Sequence, residues 1–187
     1  SEKRVRGIRA LALIAAALAL AACDSGAVPS PAERQLQQSA APVLAEDVIV
    51  LSPQGIGLGA KTLYFSADKA EVMSALDLAL GQPIASNDNM ECGAGRVASA
   101  TYALGLSVNF QNDHFAGWST NDRTGALRVA GAVQVGMTRD AAETAAGYSL
   151  IAGSSLGEEF TLGAQMGGFV EDDGVNMIYA GTQCFFR

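Results

Sequence analysis

The chain has 187 residues, a formal net charge of −7 and 49% hydrophobic against 17% charged residues, which suits a globular protein of one domain or two small ones rather than a disordered chain. Its acidity disfavours phosphate backbones and anionic headgroups as direct partners, so neither a nucleic-acid nor a nucleotide partner is expected. Two cysteines far apart in the chain, Cys92 and Cys184, with the one histidine, His114, distant from both supply too few ligands for a metal centre, and no metal or cofactor is expected.

The first element along the chain reads as a leader. Lys3, Arg4, Arg6 and Arg9 precede an uninterrupted apolar run of 13 residues, 10–22, the pattern of a secretory n-region and h-region. The run is shorter than the roughly 20 apolar residues that span a bilayer, so residues 1–22 read as a cleaved signal peptide. Leu20-Ala21-Ala22-Cys23 resembles the lipobox of bacterial lipoproteins. That resemblance implies diacylglycerol on Cys23, cleavage ahead of it, and a chain held by its acyl groups on a bacterial membrane, facing the periplasm. An ordinary signal peptide followed by a stray cysteine is the alternative. Asp24 resembles the signal that keeps some enteric lipoproteins on the inner membrane, but that rule is not general, and both membranes stay open. Cleavage would remove four of the 12 basic residues and one of the 19 acids, leaving a net charge of −10.

Residues 23–47, rich in Pro, Ser, Gln and Ala without apolar periodicity, read as a flexible tether carrying the acylated cysteine. A globular domain is expected over 48–187. Val48 to Leu51 and Leu63 to Phe65 suit strands. Ser66 is the expected N-cap of a helix over 67–80, with Asp68 and Glu71 in its first turn and Val72, Ala75, Leu76, Ala79 and Leu80 on one face. Gly81 and Pro83 end it. Short β segments follow at Val97 to Ala103, Leu106 to Phe110 and His114 to Trp118, separated by turn residues as in an antiparallel meander.

The plan then recurs. Leu127 to Val135 reads as a strand, Thr138 as the N-cap of a helix over 139–146, and Phe160 to Leu162, Gly168 to Val170 and Val175 to Ala180 as strands, the last two joined by the hairpin signal Asp173-Gly174. The expected fold class is therefore α+β: two tandem repeats with a period of about 72 residues, each a capped helix on a short antiparallel β-meander, with halves near 48–122 and 123–187.

With Cys23 lipidated, Cys92 and Cys184 remain. In an oxidising periplasm an even remainder reads as a disulfide stapling one half to the other, with two buried free thiols as the alternative. His114, the one histidine, would have to serve any hydrolytic scheme. With Trp118 nearby it is a candidate binding residue, while a surface or half-buried strand-edge histidine and a core tryptophan are the plainer readings. Gly55 to Thr62 nearly spells a phosphate-binding loop, but Ala60 stands where glycine is needed and a β-like run follows, so a glycine-rich turn between strands is expected. Glu171, Asp172, Asp173 and Asn176 offer oxygen ligands without the closing bidentate glutamate of a calcium loop, and a solvated hairpin tip is the simpler reading.

Gly136-Met137-Thr138-Arg139 followed by the Glu143-bearing helix resembles the modules of the beta-lactamase inhibitor protein-like fold, a layout shared by the small lipoprotein of the outer-membrane barrel assembly machine. Glu91-Cys92-Gly93-Ala94-Gly95, Gly117-Trp118-Ser119 and Gly181-Thr182-Gln183-Cys184-Phe185-Phe186-Arg187 resemble a group of uncharacterised alphaproteobacterial lipoproteins over roughly 48–187. The resemblance implies helices laid on an antiparallel sheet, and no assigned activity. The functional expectation is a membrane-anchored envelope lipoprotein, noncatalytic, that meets an envelope protein partner. The competing classes are a hydrolase using His114 and a proteinaceous enzyme inhibitor.

Overall fold

The computed structural model describes residues 48–172 and 174–185. The signal peptide, the lipidated Cys23 and the tether, expected over 1–47, lie outside the described residues, as does Asp173. The chain is mixed α+β and mostly β-sheet. β1 (Ile49–Ser52), β2 (Gly55–Leu58) and β3 (Lys61–Tyr64) are followed by helix α1 (Lys69–Leu80) and by β4 (Ala85–Asn89), β5 (Val97–Thr101), β6 (Leu106–Gln111) and β7 (His114–Thr120). Then come β8 (Leu127–Val129), helix α2 (Arg139–Glu143), β9 (Tyr148–Leu150), β10 (Glu158–Leu162), β11 (Met166–Glu171) and β12 (Gly174–Gly181).

Two sheets result. The larger has the order β4-β5-β6-β7-β12-β11-β10-β9, antiparallel throughout; the smaller has the order β3-β2-β1-β8, in which β8 runs parallel to β1. The smaller sheet was not expected as a separate layer. It takes Gly55 to Thr62 as the β2–β3 hairpin, turning at Gly59 (φ +57°) with Leu58 opposite Lys61, in keeping with a glycine turn between strands.

Period-two alternation divides the larger sheet into two faces. Ala98, Ala100, Val108, Phe110, Trp118, Ile178, Ala180 and Phe160 share the inner face. They join one core with Val72 and Leu76 of α1, Ala142 of α2, and Leu51, Ile56, Leu63 and Val129 of the smaller sheet. Trp118 is fully buried there, and its indole Nε1 donates to the Ser52 carbonyl of β1 at 2.8 Å, tying the two sheets together. Gly168 is needed beneath Phe160, whose ring tip would lie 2.5 Å from an added Cβ.

Three local expectations are corrected. The N-cap of α1 is Asp68, whose side chain accepts the Ala70 N–H at 2.8 Å; Ser66 stands two residues earlier with φ +74° and cannot be the extended cap residue. The second helix is a five-residue turn, with Thr138 at the N-cap position as expected but without a side-chain capping bond, and it ends at Glu143. β8 stops at Val129, because Gln134 folds back on it: Val129 N–H donates to Gln134 Oε1 at 3.0 Å and Gln134 Nε2 donates to the Val129 carbonyl at 2.7 Å.

Candidate interaction face

The outer face of the large sheet carries the residues that alternate with the core. Cross-strand register lines up Thr101, Ser107, Ser119, Tyr179, Gly167, Thr161 and Ser149 in one row running from β5 to β9. These side chains are mostly half-buried, and Thr101 and Ser107 share a hydrogen bond of 2.9 Å. Six of these seven residues carry a hydroxyl, and along this row, with the Tyr179 hydroxyl already engaged by Glu159, the others offer donors and acceptors to a flat polar partner or to water.

The C-terminal segment crosses this face. Thr182 N–H donates to the Ala116 carbonyl at 2.8 Å, and Asn109 Nδ2 donates to the Thr182 carbonyl at 2.9 Å and to Gln183 Oε1 at 3.1 Å. Gln183 Nε2 in turn donates to the carbonyls of Trp118 and Ala180, each at 3.0 Å. Gly117 makes this close crossing feasible, because a side chain there would strike the Thr182 carbonyl. Beyond it Phe185 lies edge-on to Phe169 and Tyr179, both with ring centroids 5.1 Å away.

Next to that aromatic cluster is a buried carboxylate. Glu159 is fully enclosed and accepts hydrogen bonds from the Tyr179 hydroxyl at 2.7 Å and from Ser154 Oγ at 2.7 Å. A carboxylate out of water requires such donors. Strand alternation could have assigned Glu159 to the outer face, since Phe160 is in the core, and Ser154 lies only five residues before it, but Tyr179 comes from β12 and is invisible in local sequence.

Among the residues singled out in the sequence, Cys92 in the β4–β5 turn and Cys184 in the C-terminal segment sit thiol to thiol, and both are free thiols. Asn89 Nδ2 donates to Cys184 Sγ at 3.0 Å. Burial, followed by the hydrogen bond with Cys92, pushes the Cys184 thiol up to about 11. His114 is exposed at the start of β7, where its backbone forms a single antiparallel bridge with Asp68. Trp118 is not beside it at the surface: the two lie four residues apart in β7, and the tryptophan is wholly core, which corrects its assignment as a binding residue. The Glu171 to Asn176 segment is the β11–β12 hairpin, in which Asn176 Nδ2 donates to Glu171 Oε2 at 2.6 Å and Arg139 donates to the Asp172 carbonyl at 3.0 Å. Among the described residues no three His, Cys, Asp or Glu side chains gather as a metal site, and no helix is long and apolar enough to cross a membrane.

A concavity lies between α1 and the β4–β5 edge. Met73 and Lys69 form one wall, Ser86 and Asp88 the other, and Ala98, Ala100 and Phe110 the floor, enclosing about 380 Å³. Lys69 Nζ stands 5.5 Å over the Phe110 ring. Arg96 holds Asp88 through a two-pronged contact, which keeps the Asp88 carboxyl below the usual carboxylate range. Neither Lys69 nor the Arg96–Asp88 pair was singled out in the sequence, because the pair becomes adjacent only through the β4–β5 register.

Comparison with protein-family models, curated proteins and solved structures found no match.

Proposed function

We propose that this chain is a membrane-anchored envelope lipoprotein that works as a noncatalytic interaction module, meeting another envelope protein with the outer face of its large sheet. The observation that carries the reading is the row of hydroxyls running from Thr101 to Ser149 on the face turned away from the core. The basic-then-apolar leader ending in Leu20-Ala21-Ala22-Cys23 supports the address. In the oxidising compartment that address implies, Cys92 and Cys184 close a disulfide, and the C-terminal segment is then fixed across the same face.

We further read the domain as two copies of one unit, each a capped helix followed by a four-stranded meander. The strand order supports this, since β4 to β7 and β9 to β12 run in opposite order and meet through their last strands. So do the two N-caps: Asp68 bridges the first residue of β7, His114, and Thr138 bridges the first residue of β12, Gly174. The repeat offset measured from Asp68 to Thr138 is two residues shorter than the offset from Ser66.

The test joins address and face. Cys23→Ser should abolish the fatty-acyl mass and move the chain from membranes to the soluble fraction. A photo-crosslinking residue at Ser119 should capture one defined envelope protein, and Ser107→Arg should abolish that product while leaving the fold intact. An unacylated chain at Cys23, or crosslinks insensitive to Ser107→Arg, would overturn the reading.

A further inference from the structure

The large sheet ends on an unguarded edge. Among the described residues nothing pairs with the outer side of β4, which terminates the strand order. An exposed edge presents unpaired N–H and C=O groups to any other strand, and proteins block such edges with lysine, proline, short length or covering groups. The other three edges here carry such devices. β3 has Lys61, ion-paired to Glu71 at 2.9 Å; β8 has Arg128 and the Gln134 side chain clasping Val129; β9 is only three residues long. β4 is five residues, Ala85-Ser86-Asn87-Asp88-Asn89, with neither lysine nor proline, and its one charge is cancelled by Arg96.

The residues flanking β4 are apolar and exposed: Ile84 by 73% and Met90 by 67%. They stand at equal distance on either side of Asn87. In an antiparallel pair, residues directly opposite share a face and approach within about 4.5–5.5 Å. If a second copy adds to β4 by a two-fold rotation at Asn87, Ile84 of one protomer therefore faces the partner's Met90, and the reciprocal pair forms at the other end. The same register sets Ser86 opposite the partner's Asp88, a hydroxyl donor against a carboxylate, and Asn87 against its own copy. No like charges meet.

We propose that the chain self-associates through β4, two copies joining edge to edge antiparallel about Asn87 to make one continuous sheet. The self-complementary placement of Ile84 and Met90 singles out a second copy over an unrelated strand, because one symmetric pairing covers both exposed apolar residues twice. An isologous contact of this kind closes on itself and ends at the dimer. The contact is short, below the surface that stable complexes bury, so the dimer is weak and concentration-dependent. The net charge opposes it, so added salt tightens it.

The experiment uses the full chain in a mild non-ionic detergent. Sedimentation velocity across a concentration series should give a monomer–dimer equilibrium that strengthens with salt, and hydrogen exchange should slow in the β4 amides as concentration rises. Ile84→Lys with Met90→Lys, both at exposed positions, should weaken association by about tenfold or more with an unchanged melting temperature. A monomer at every concentration, a dimer that survives the double substitution, or β4 amides equally protected at all dilutions, as when another part of the chain or a different partner covers the edge, would overturn the proposal. Neither acylation at Cys23 nor an outer-face partner enters these readouts, so their failure leaves this test standing.

Discussion

Oxidising the Cys92–Cys184 pair gives the sharpest quantitative expectation, because the two thiols already touch while nearly half the chain lies between them. Joining them removes two protons and two electrons, taken up by a disulfide donor such as oxidised glutathione. The closed loop has about 90 residues, and restricting the unfolded ensemble by a loop of that size stabilises the fold by about 4 to 5 kcal/mol at 25 °C. For a domain of about 140 residues the entropy of unfolding is close to 0.3 kcal/mol/K, so the bond should raise the midpoint of thermal unfolding by about 15 °C. Scanning calorimetry of the oxidised chain with and without reductant measures this directly, with Cys92→Ser/Cys184→Ser as the permanently open reference. The open form should also behave distinctively with pH. A thiol raised to about 11 in the fold, above its ordinary value, adds stability below that ordinary value, and the open chain should lose it as pH rises through about 11. Two thiols that remain alkylatable under non-reducing denaturing conditions after export would refute the bridge, and a bridge formed with no change in melting would refute the chain-entropy argument.

Two further outcomes follow from buried polar contacts. Trp118→Phe deletes the indole N–H that satisfies the Ser52 carbonyl and leaves a void between the two sheets, so urea unfolding should show a loss of about 2 to 4 kcal/mol at an unchanged slope, with any outer-face crosslink retained. Asp122 is buried, which alone would raise its carboxyl, yet the Thr124 hydroxyl at 2.6 Å and the N–H groups of Leu127 and Thr124, each at 2.8 Å, outweigh burial and lower it. A lowered carboxylate contributes stability above its unfolded value and loses it as pH falls through the folded one, so the chain should weaken below about pH 4, and Asp122→Asn should flatten that part of a stability-against-pH curve.

Much of the fold is legible locally. The spacing of Val72 and Leu76 and the break at Gly81 mark α1, and the alternation of Leu106, Val108 and Phe110 marks β6. β4 is not legible, because Ala-Ser-Asn-Asp-Asn has the composition of a loop and is a strand only through its pairing with β5. Nor is the end of β8, where the amide side chain of Gln134 takes the place of a neighbouring strand. The contact of Cys92 with Cys184, as two free thiols, joins residues far apart in the chain, and Trp118, polar-tipped and beside a glycine, gives no local sign that its N–H is satisfied by a carbonyl of another sheet.

The sequence by itself determined the apolar face and the end of α1, the alternation of β6, and Thr138 as the residue that precedes α2. Pairing was left to the tertiary structure: β8 beside β1, β7 beside β12, Glu159 against the Tyr179 hydroxyl, and β4 at an open edge. Periodicity is set by neighbours a few bonds away, while these partners are brought together only when the whole chain buries its core, so no local pattern encodes them.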